Sequence, residues 1–310
     1  MPQRVLIILN PIANHDRSVQ VAESLKTKLA QTSPLSDAPQ IDWVVSQRAK
    51  ETIWLAQESG THGYNLVIAA GGDGTVHEVI NGLMQIPPEK RPLLGILPLG
   101  SGNDFAHILG LPIDPWSAIQ TCLNGQPKAL DIGLVSDESN RREYFNNTLG
   151  IGFDAVVTIH TKRIKRIHGF MMYLIATLKT IFMDFPQMDL TVESDEKSWQ
   201  QPTIMLTIGN GPREGGGFLV TPEAKVDDGI FHYAAIGKVS RFMMLRLVPE
   251  VMKGTHGRFQ QIQMGTCRKM TIHSKQPLYA HCDGEVFSGF GDTFYQFTIE
   301  IQPGAIRVMK

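Results

Sequence analysis

The stretch Gly71-Gly72-Asp73-Gly74-Thr75 narrows the choice of fold more than any other in the 310 residues. It follows an apolar run, Asn65 to Ala70 (NLVIAA), and precedes apolar residues at helical spacing, Val76, Val79, Ile80 and Leu83. A strand, a glycine turn and a helix expected from Thr75 together make an anion site. Glycines let the backbone turn sharply and approach a ligand closely, and the N–H groups of the helix's first turn point at what sits there, usually phosphate. A carboxylate repels phosphate unless a cation lies between them, so Asp73 points to a magnesium-nucleotide rather than a bare dinucleotide. The plainer reading is a tight strand-to-helix turn capped by Thr75, and so short a motif does not exclude it alone.

The preceding chain repeats the same rhythm. Arg4 to Leu9 (RVLIIL) is a continuous apolar run of the kind that forms a buried parallel strand, and it ends at Asn10-Pro11. A helical pattern spans about Ser18 to Leu29, a strand Ile41 to Ser46, a helix Ala49 to Glu58, and a fourth strand Leu93 to Leu97. Alternating strands and helices imply right-handed crossovers and a parallel sheet, with ligands beyond the carboxyl ends of the strands. Asn10, the GGDGT turn and the segment Pro98 to Asp104 (PLGSGND) all fall at that edge. In the last of these, Gly100 permits the turn, Ser101 and Asn103 can hydrogen-bond phosphate or ribose, and Asp104 adds a second carboxylate; an Asx turn capping a helix from Phe105 is the plainer alternative.

Near Asp131 (KALDIGLV) the texture changes. Tyr144 to Leu149, Met188 to Glu193, Thr203 to Ile208, Gly229 to Ala235, Lys269 to Ser274 and Phe294 to Ile301 read as antiparallel strands separated by Gly, Pro and Asp. Two helical segments interrupt them, Phe170 to Met183 and Ser240 to Met252. The first is strongly apolar and follows the basic residues Lys162, Arg163, Lys165, Arg166 and His168; it reads either as a partly buried helix or as contact with an anionic membrane surface. The expected fold is therefore α/β plus β, with domains at 1–131 and 132–301 and a final segment from about 302 to 310. In the β-rich half, Lys225-Val226-Asp227-Asp228-Gly229-Ile230 offers carboxylates and carbonyls that suit magnesium, although a surface turn is the simpler reading. Asp283 and Glu285 in HCDGE could take a proton from an alcohol, although DGE is also a common hairpin turn.

Composition sets outer limits. Hydrophobic residues make up 42% and charged ones 19%, enough for a substantial core. A formal net charge of -1 argues against capture of nucleic acid by the whole molecule. Cys122, Cys267 and Cys282 form neither a disulfide framework nor a zinc site, and the absence of a signal-peptide pattern or a clean apolar span fits a cytoplasmic protein.

With these pieces together the chain resembles the soluble bacterial diacylglycerol kinase family, within the diacylglycerol and sphingosine kinase superfamily. The resemblance rests on Asn10-Pro11, GGDGTVHEVINGL (Gly71 to Leu83), PLGSGNDFA (Pro98 to Ala106), GIGFDA (Gly150 to Ala155), GNGPREGGGF (Gly209 to Phe218), PEAKVDDG (Pro222 to Gly229) and Asp283-Gly284-Glu285. GGDGT is shared with 6-phosphofructokinases and NAD kinases; the later motifs are what separate the families. One departure is Ala13-Asn14, where the family usually has a Ser-Gly pair.

The resemblance implies a Rossmann-like nucleotide-binding domain, a β-sandwich substrate domain with a cleft between the two, and a C-terminal segment returning to the first domain. It implies ATP as co-substrate, with Asn10, Gly71, Gly72, Asp73, Gly74, Thr75, Gly100, Ser101 and Asn103 around the nucleotide. Asp73, Asp104 and Asp131 would hold a catalytic Mg2+ and its waters, while Lys225, Asp228 and Ile230 would form a structural Mg2+ site. Asp283 would be the general base and Glu285 its support. The expected partner is a lipid at a membrane surface, most specifically diacylglycerol, with peripheral contact through Lys162, Arg163, Lys165 and Arg166; a homodimer is compatible with the sequence. Another lipid acceptor (a sphingoid base or phosphatidylglycerol) and a non-catalytic nucleotide- or lipid-binding protein are the alternatives.

Overall fold

The apolar run Arg4–Leu9 forms β1, and the elements after it alternate: α1 (Arg17–Thr32), β2 (Gln40–Val45), α2 (Glu51–Glu58), β3 (Leu66–Gly71), α3 (Asp73–Leu83), β4 (Leu93–Pro98), α4 (Asp104–Leu109) and α5 (Pro115–Asn124). The computed structural model describes residues 4–13, 17–32, 39–164, 167 and 169–310. Asn14 of the first loop, and Lys165, Arg166 and His168 of the basic cluster, lie outside the described residues. Contacts divide the chain into two units, Met1–Leu130 with Gly304–Lys310, and Asp131–Pro303.

In the first unit β2, β1, β3 and β4 lie side by side and parallel, and Val308 near the chain's end pairs parallel with Leu94. All six residues of β3 are buried, as a strand covered on both faces requires. The core joins Val5, Ile7, Leu66 and Ile68 from the sheet to Ala22 and Leu25 of α1 and Ile119 and Cys122 of α5. Because β1 is flanked by β2 on one side and β3 on the other, connections leave it in opposite directions, and the switch point opens beyond the carboxyl ends of β1 and β3. α5 has a clear local cause: Asp114 accepts hydrogen bonds from the Ser117 N–H and hydroxyl, and Pro115 occupies the first turn.

β5 (Pro127–Asp137) leads into the second unit, which is mostly antiparallel: β6 (Arg142–Phe145), β7 (Thr148–Gly152), β8 (Met188–Ser194), β9 (Trp199–Gly209), β10 (Phe231–Gly237), β11 (Ile262–Cys267), β12 (Lys269–Ser274), β13 (Ala280–Cys282), β14 (Glu285–Ser288) and β15 (Gln296–Met309). Pairing runs β14-β13-β7-β9-β8-β12-β15, with β10 joining β9 to β11. Alternate residues of these strands, among them Leu149, Ile151, Leu206, Ile208, Ile272 and Phe297, fill one core. A second core lies under three helices, α6 (Phe153–Thr161), α7 (Gly169–Met183) and α8 (Arg241–Lys253).

The α/β-plus-β expectation holds, and the last seven residues of the chain belong to the first unit. Two local readings differ. The expected strand Tyr144 to Leu149 is two strands interrupted at Asn146-Asn147, and α6 is a third helix in the second half.

Candidate active site

The first unit builds its glycine site from three strand ends. The Asn10 N–H donates to the Ala70 carbonyl (3.0 Å), and the Asn10 amide Nδ2 donates to Thr75 Oγ1 (3.1 Å), tying the end of β1 to the first turn of α3. Pro98 stands opposite Gly71 in the β3–β4 register, so the two glycine turns start level with each other. They also touch: a Cβ on Gly100 would lie 2.4 Å from the Gly72 Cα. No side chain larger than hydrogen fits at Gly100, and a Cβ on Gly72 would lie only 3.2 Å from the Gly100 Cα. The second turn closes on itself through Asn103, in the left-handed region at φ 54°, whose amide accepts from the Gly100 N–H and donates to the Gly100 carbonyl.

α3 starts at Asp73, two residues earlier than expected, which puts this carboxylate in the helix's first turn, where the macrodipole favours a negative charge. Asp73 Oδ1 accepts the Phe105 N–H (3.0 Å) from the start of α4. Asp73 and the buried Asp104 therefore belong to one pair of touching turns. Ser101, beside them, is exposed.

Asp131 belongs to the second unit, where it is buried and its Oδ2 accepts the Gly229 N–H at 2.7 Å. It thus supports the turn that contains Asp228, and its own N–H donates to the Val226 carbonyl. The Asp228 side chain is exposed and accepts the Ile230 N–H (3.3 Å). One exposed carboxylate with the carbonyls of Lys225 and Ile230 is an all-oxygen donor set, which fits a hard cation such as Mg2+.

The hairpin β13–β14 carries the proposed base. Cys282 pairs with Glu285 across a two-residue turn in which Asp283 and Gly284 both have positive φ, 52° and 82°, the pattern of a type I′ turn. The Asp283 carboxylate faces back onto the segment before β7 and accepts the N–H groups of Asn146 (3.0 Å), Asn147 (2.9 Å) and Thr148 (3.0 Å). Three backbone donors hold it in one orientation. Glu285 opens β14, with both carboxylate oxygens 2.8 Å from Lys162 Nζ. One cation of the basic cluster is therefore already paired.

Behind this turn lies a group that sequence reading left without a role. His281, Asp154 and Glu214 bring Nε2, Oδ2 and Oε2 within 4.8 Å of one another. His281 Nδ1 accepts the Gly284 N–H (3.2 Å), so in the neutral ring Nε2 carries the proton and faces Asp154 Oδ2 at 3.4 Å. That tautomer makes Nε2 a donor toward carboxylates rather than a metal ligand. Thr207 donates to Asp154 (2.9 Å) and Thr148 Oγ1 to Glu214 (2.7 Å). Burial opposes charge on Asp154, but His281, Glu214 and Thr207 outweigh it and hold its carboxyl below the usual range.

Asp154 and Glu214 are the polar end of a mostly apolar pocket, open at its mouth, with a cavity volume of about 50 Å3. Phe153 and Val157 of α6, Tyr173 of α7, and Met244 and Leu247 of α8 line the rest. The glycine-rich loop 209–218 forms one wall: Gly215 and Gly216 have positive φ and lie against Tyr173 and Phe170, and Phe218 stacks on Phe170 at 5.5 Å. GIGFDA and GNGPREGGGF were legible as motifs, but what Asp154 and Glu214 do depends on contacts between segments about 60 residues apart, as does the place of His281.

Residues 4–135 match the diacylglycerol kinase catalytic domain family, and residues 147–310 the YegS C-terminal NAD kinase beta sandwich-like domain family. Among curated proteins, a probable YegS-like lipid kinase of Chromohalobacter salexigens is 34% identical over 272 residues, covering 84% of this chain and 81% of that protein. One of Yersinia pestis is 31% identical over 253 residues, covering 81% and 80%. A solved structure of a putative diacylglycerol kinase from Bacillus anthracis superposes with a TM-score of 0.77 at 21% identity, over 99% of this chain and 97% of that one, and so shares the fold. A parallel-sheet unit with touching glycine turns, followed by a β-sandwich unit with an apolar pocket, is thus the build of a kinase. Within that class the chain belongs to the YegS-like lipid kinase family.

Proposed function

We propose that this kinase transfers the γ-phosphoryl group of ATP to a lipid hydroxyl, with diacylglycerol as acceptor and phosphatidic acid as product. The observation that carries the reading is Thr148. Its N–H donates to Asp283, the residue suited to be the base, and its hydroxyl donates to Glu214 at the polar end of the apolar pocket. A hydroxyl on a lipid whose chain fills that pocket would lie within a residue's reach of Asp283.

In this reading the first unit handles the donor. The N–H groups of the glycine turns and of the first turn of α3 bind the phosphates, and Asn10 and Asn103 hold the turns in shape. Asp73 and Asp104 are the carboxylates of this unit suited to Mg2+ and its waters, which would neutralise charge on the transferring group. Transfer spreads charge over the three equatorial oxygens, so the protein's task is placement and electrostatics. Asp283 accepts the hydroxyl proton as the oxygen attacks, and Glu285 with Lys162 steadies the far side of the same hairpin.

The test is phosphorylation with labelled ATP across dispersed diacylglycerol, sphingosine, phosphatidylglycerol and NAD. Diacylglycerol is expected to be the preferred acceptor, and a clear preference for another lipid replaces it. Asp283→Asn is expected to retain its fold and lose about a hundredfold or more in turnover. Near-wild-type turnover in that variant overturns the base assignment.

A further inference from the structure

α7 is apolar on two opposite faces, and only one of them is covered. Ala176, Thr177, Thr180 and Ile181 are buried toward the rest of the unit. On the opposite side Met171, Leu178 and Phe182 stand 52%, 38% and 59% exposed, with half-buried Leu174 and Ile175 between them at helical spacing. Met183, the last residue of α7, is 68% exposed, and Phe242 at the start of α8 is 84% exposed. The guanidinium of Arg241 lies 6.0 Å from the Phe185 ring, so the end of α7 and the start of α8 meet there.

Basic side chains predominate around this stripe. α7 contains no Asp or Glu, and Lys179 is its one ionised side chain. Lys238, Arg241 and Arg246 are exposed on and before α8. The acid that follows α7, Asp184, is held by His160 at 2.8 Å.

We propose that the outer face of α7, with Phe242, docks on an anionic lipid bilayer, Lys179 and Arg241 meeting the headgroups while Leu178 and Phe182 enter the interface. Charge decides between the two occupants an apolar helix face invites. A second copy of this chain would pair the stripe with itself about a two-fold axis and set Lys179 and Arg241 against their own counterparts. An anionic bilayer complements them. The proposal deepens the lipid-kinase reading, because the inner side of α7, through Tyr173 and Thr177, walls the pocket assigned to the lipid chain. A helix with one face in the bilayer and the other on the pocket gives the acceptor a short path from membrane to site. Lys162, which pairs with Glu285, is not needed for this face.

The test is co-sedimentation with phosphatidylcholine vesicles, with and without phosphatidylglycerol. The double variant Leu178→Gln, Phe182→Gln is expected to bind about tenfold less to the mixed vesicles. Its melting temperature, and its turnover of a short-chain acceptor presented as monomers, are expected to be unchanged. The pair Lys179→Gln, Arg241→Gln is expected to lose the preference for phosphatidylglycerol. As an independent readout, Phe182→Trp is expected to shift to shorter emission wavelength on vesicles and to be quenched by brominated lipid. Unchanged sedimentation of the Leu178, Phe182 variant, or a concentration-dependent dimer that this variant dissolves, overturns the proposal. Vesicle binding that survives while no lipid is phosphorylated would leave the docking face standing and remove the kinase reading instead.

Discussion

The contact between Gly72 and Gly100 puts a tight local constraint on a single atom. A methyl group at Gly100 would sit 2.4 Å from backbone that cannot rotate away, so Gly100→Ala must push the two turns apart. Displacements of about 1 Å at a site that works by placement can cost about a hundredfold. Gly100→Ala is accordingly expected to lower ATP turnover by about tenfold or more while the circular dichroism spectrum is retained; an ATP titration of the variant checks it, and unchanged kinetics would remove the two turns from donor binding. Both glycine motifs were legible in the sequence. That they touch was not, because the contact joins the ends of neighbouring strands. The same applies to Asp283: the sequence left turn and strand open for DGE, and only Asn146, Asn147 and Thr148, more than 130 residues earlier, show why a carboxylate stands at a left-handed position.

The turn between β5 and β6 shows how one buried carboxylate can organise an element. Asp137 Oδ1 accepts the Ser139 N–H, the Ser139 hydroxyl and the Arg141 N–H, and Oδ2 accepts Arg141 Nε at 3.0 Å. Burial disfavours its charge, but the bonds from Ser139 and Arg141 prevail and lower its pKa. A group whose folded pKa is depressed stabilises fully above the ordinary value of about 3.9, and that contribution is lost as pH falls through the lower folded value. Asp137→Asn is therefore expected to cost about 1–3 kcal/mol at neutral pH. Melting curves of both proteins from neutral pH downward should converge below about pH 4; a gap that persists unchanged in acid would rule out the charge as its source. Strand-and-helix alternation revealed most of the first unit from apolar runs alone. In the second unit α6 escaped notice because Phe153–Thr161 is apolar nearly all round and carries Val156-Val157-Thr158, residues that favour strands; burial on every side removes the periodicity that marks a helix. α5 had a readable start in Asp114-Pro115.

Across the whole molecule, the feature with most leverage is the return of the last residues to the first unit. Val308 and Met309 are buried there, Lys310 exchanges both backbone hydrogen bonds with Gln126 (2.7 and 3.0 Å), and the Arg91 guanidinium donates to the Ala305 carbonyl. Ending the chain at Pro303 removes a strand from the parallel sheet and uncovers Leu94. The truncated protein is expected to melt at least about 5 °C lower, the scale of a few kcal/mol in a chain of this size. Hydrogen exchange should show the loss in β4 first, and protection of β4 equal to that of the full chain would contradict the part given to this segment. The same return imposes an order on synthesis. Domains usually fold as they emerge, the earliest first. Here the first unit lacks a strand until the final residues have been added, so its sheet stays open-edged in a nascent chain although its other strands are made first.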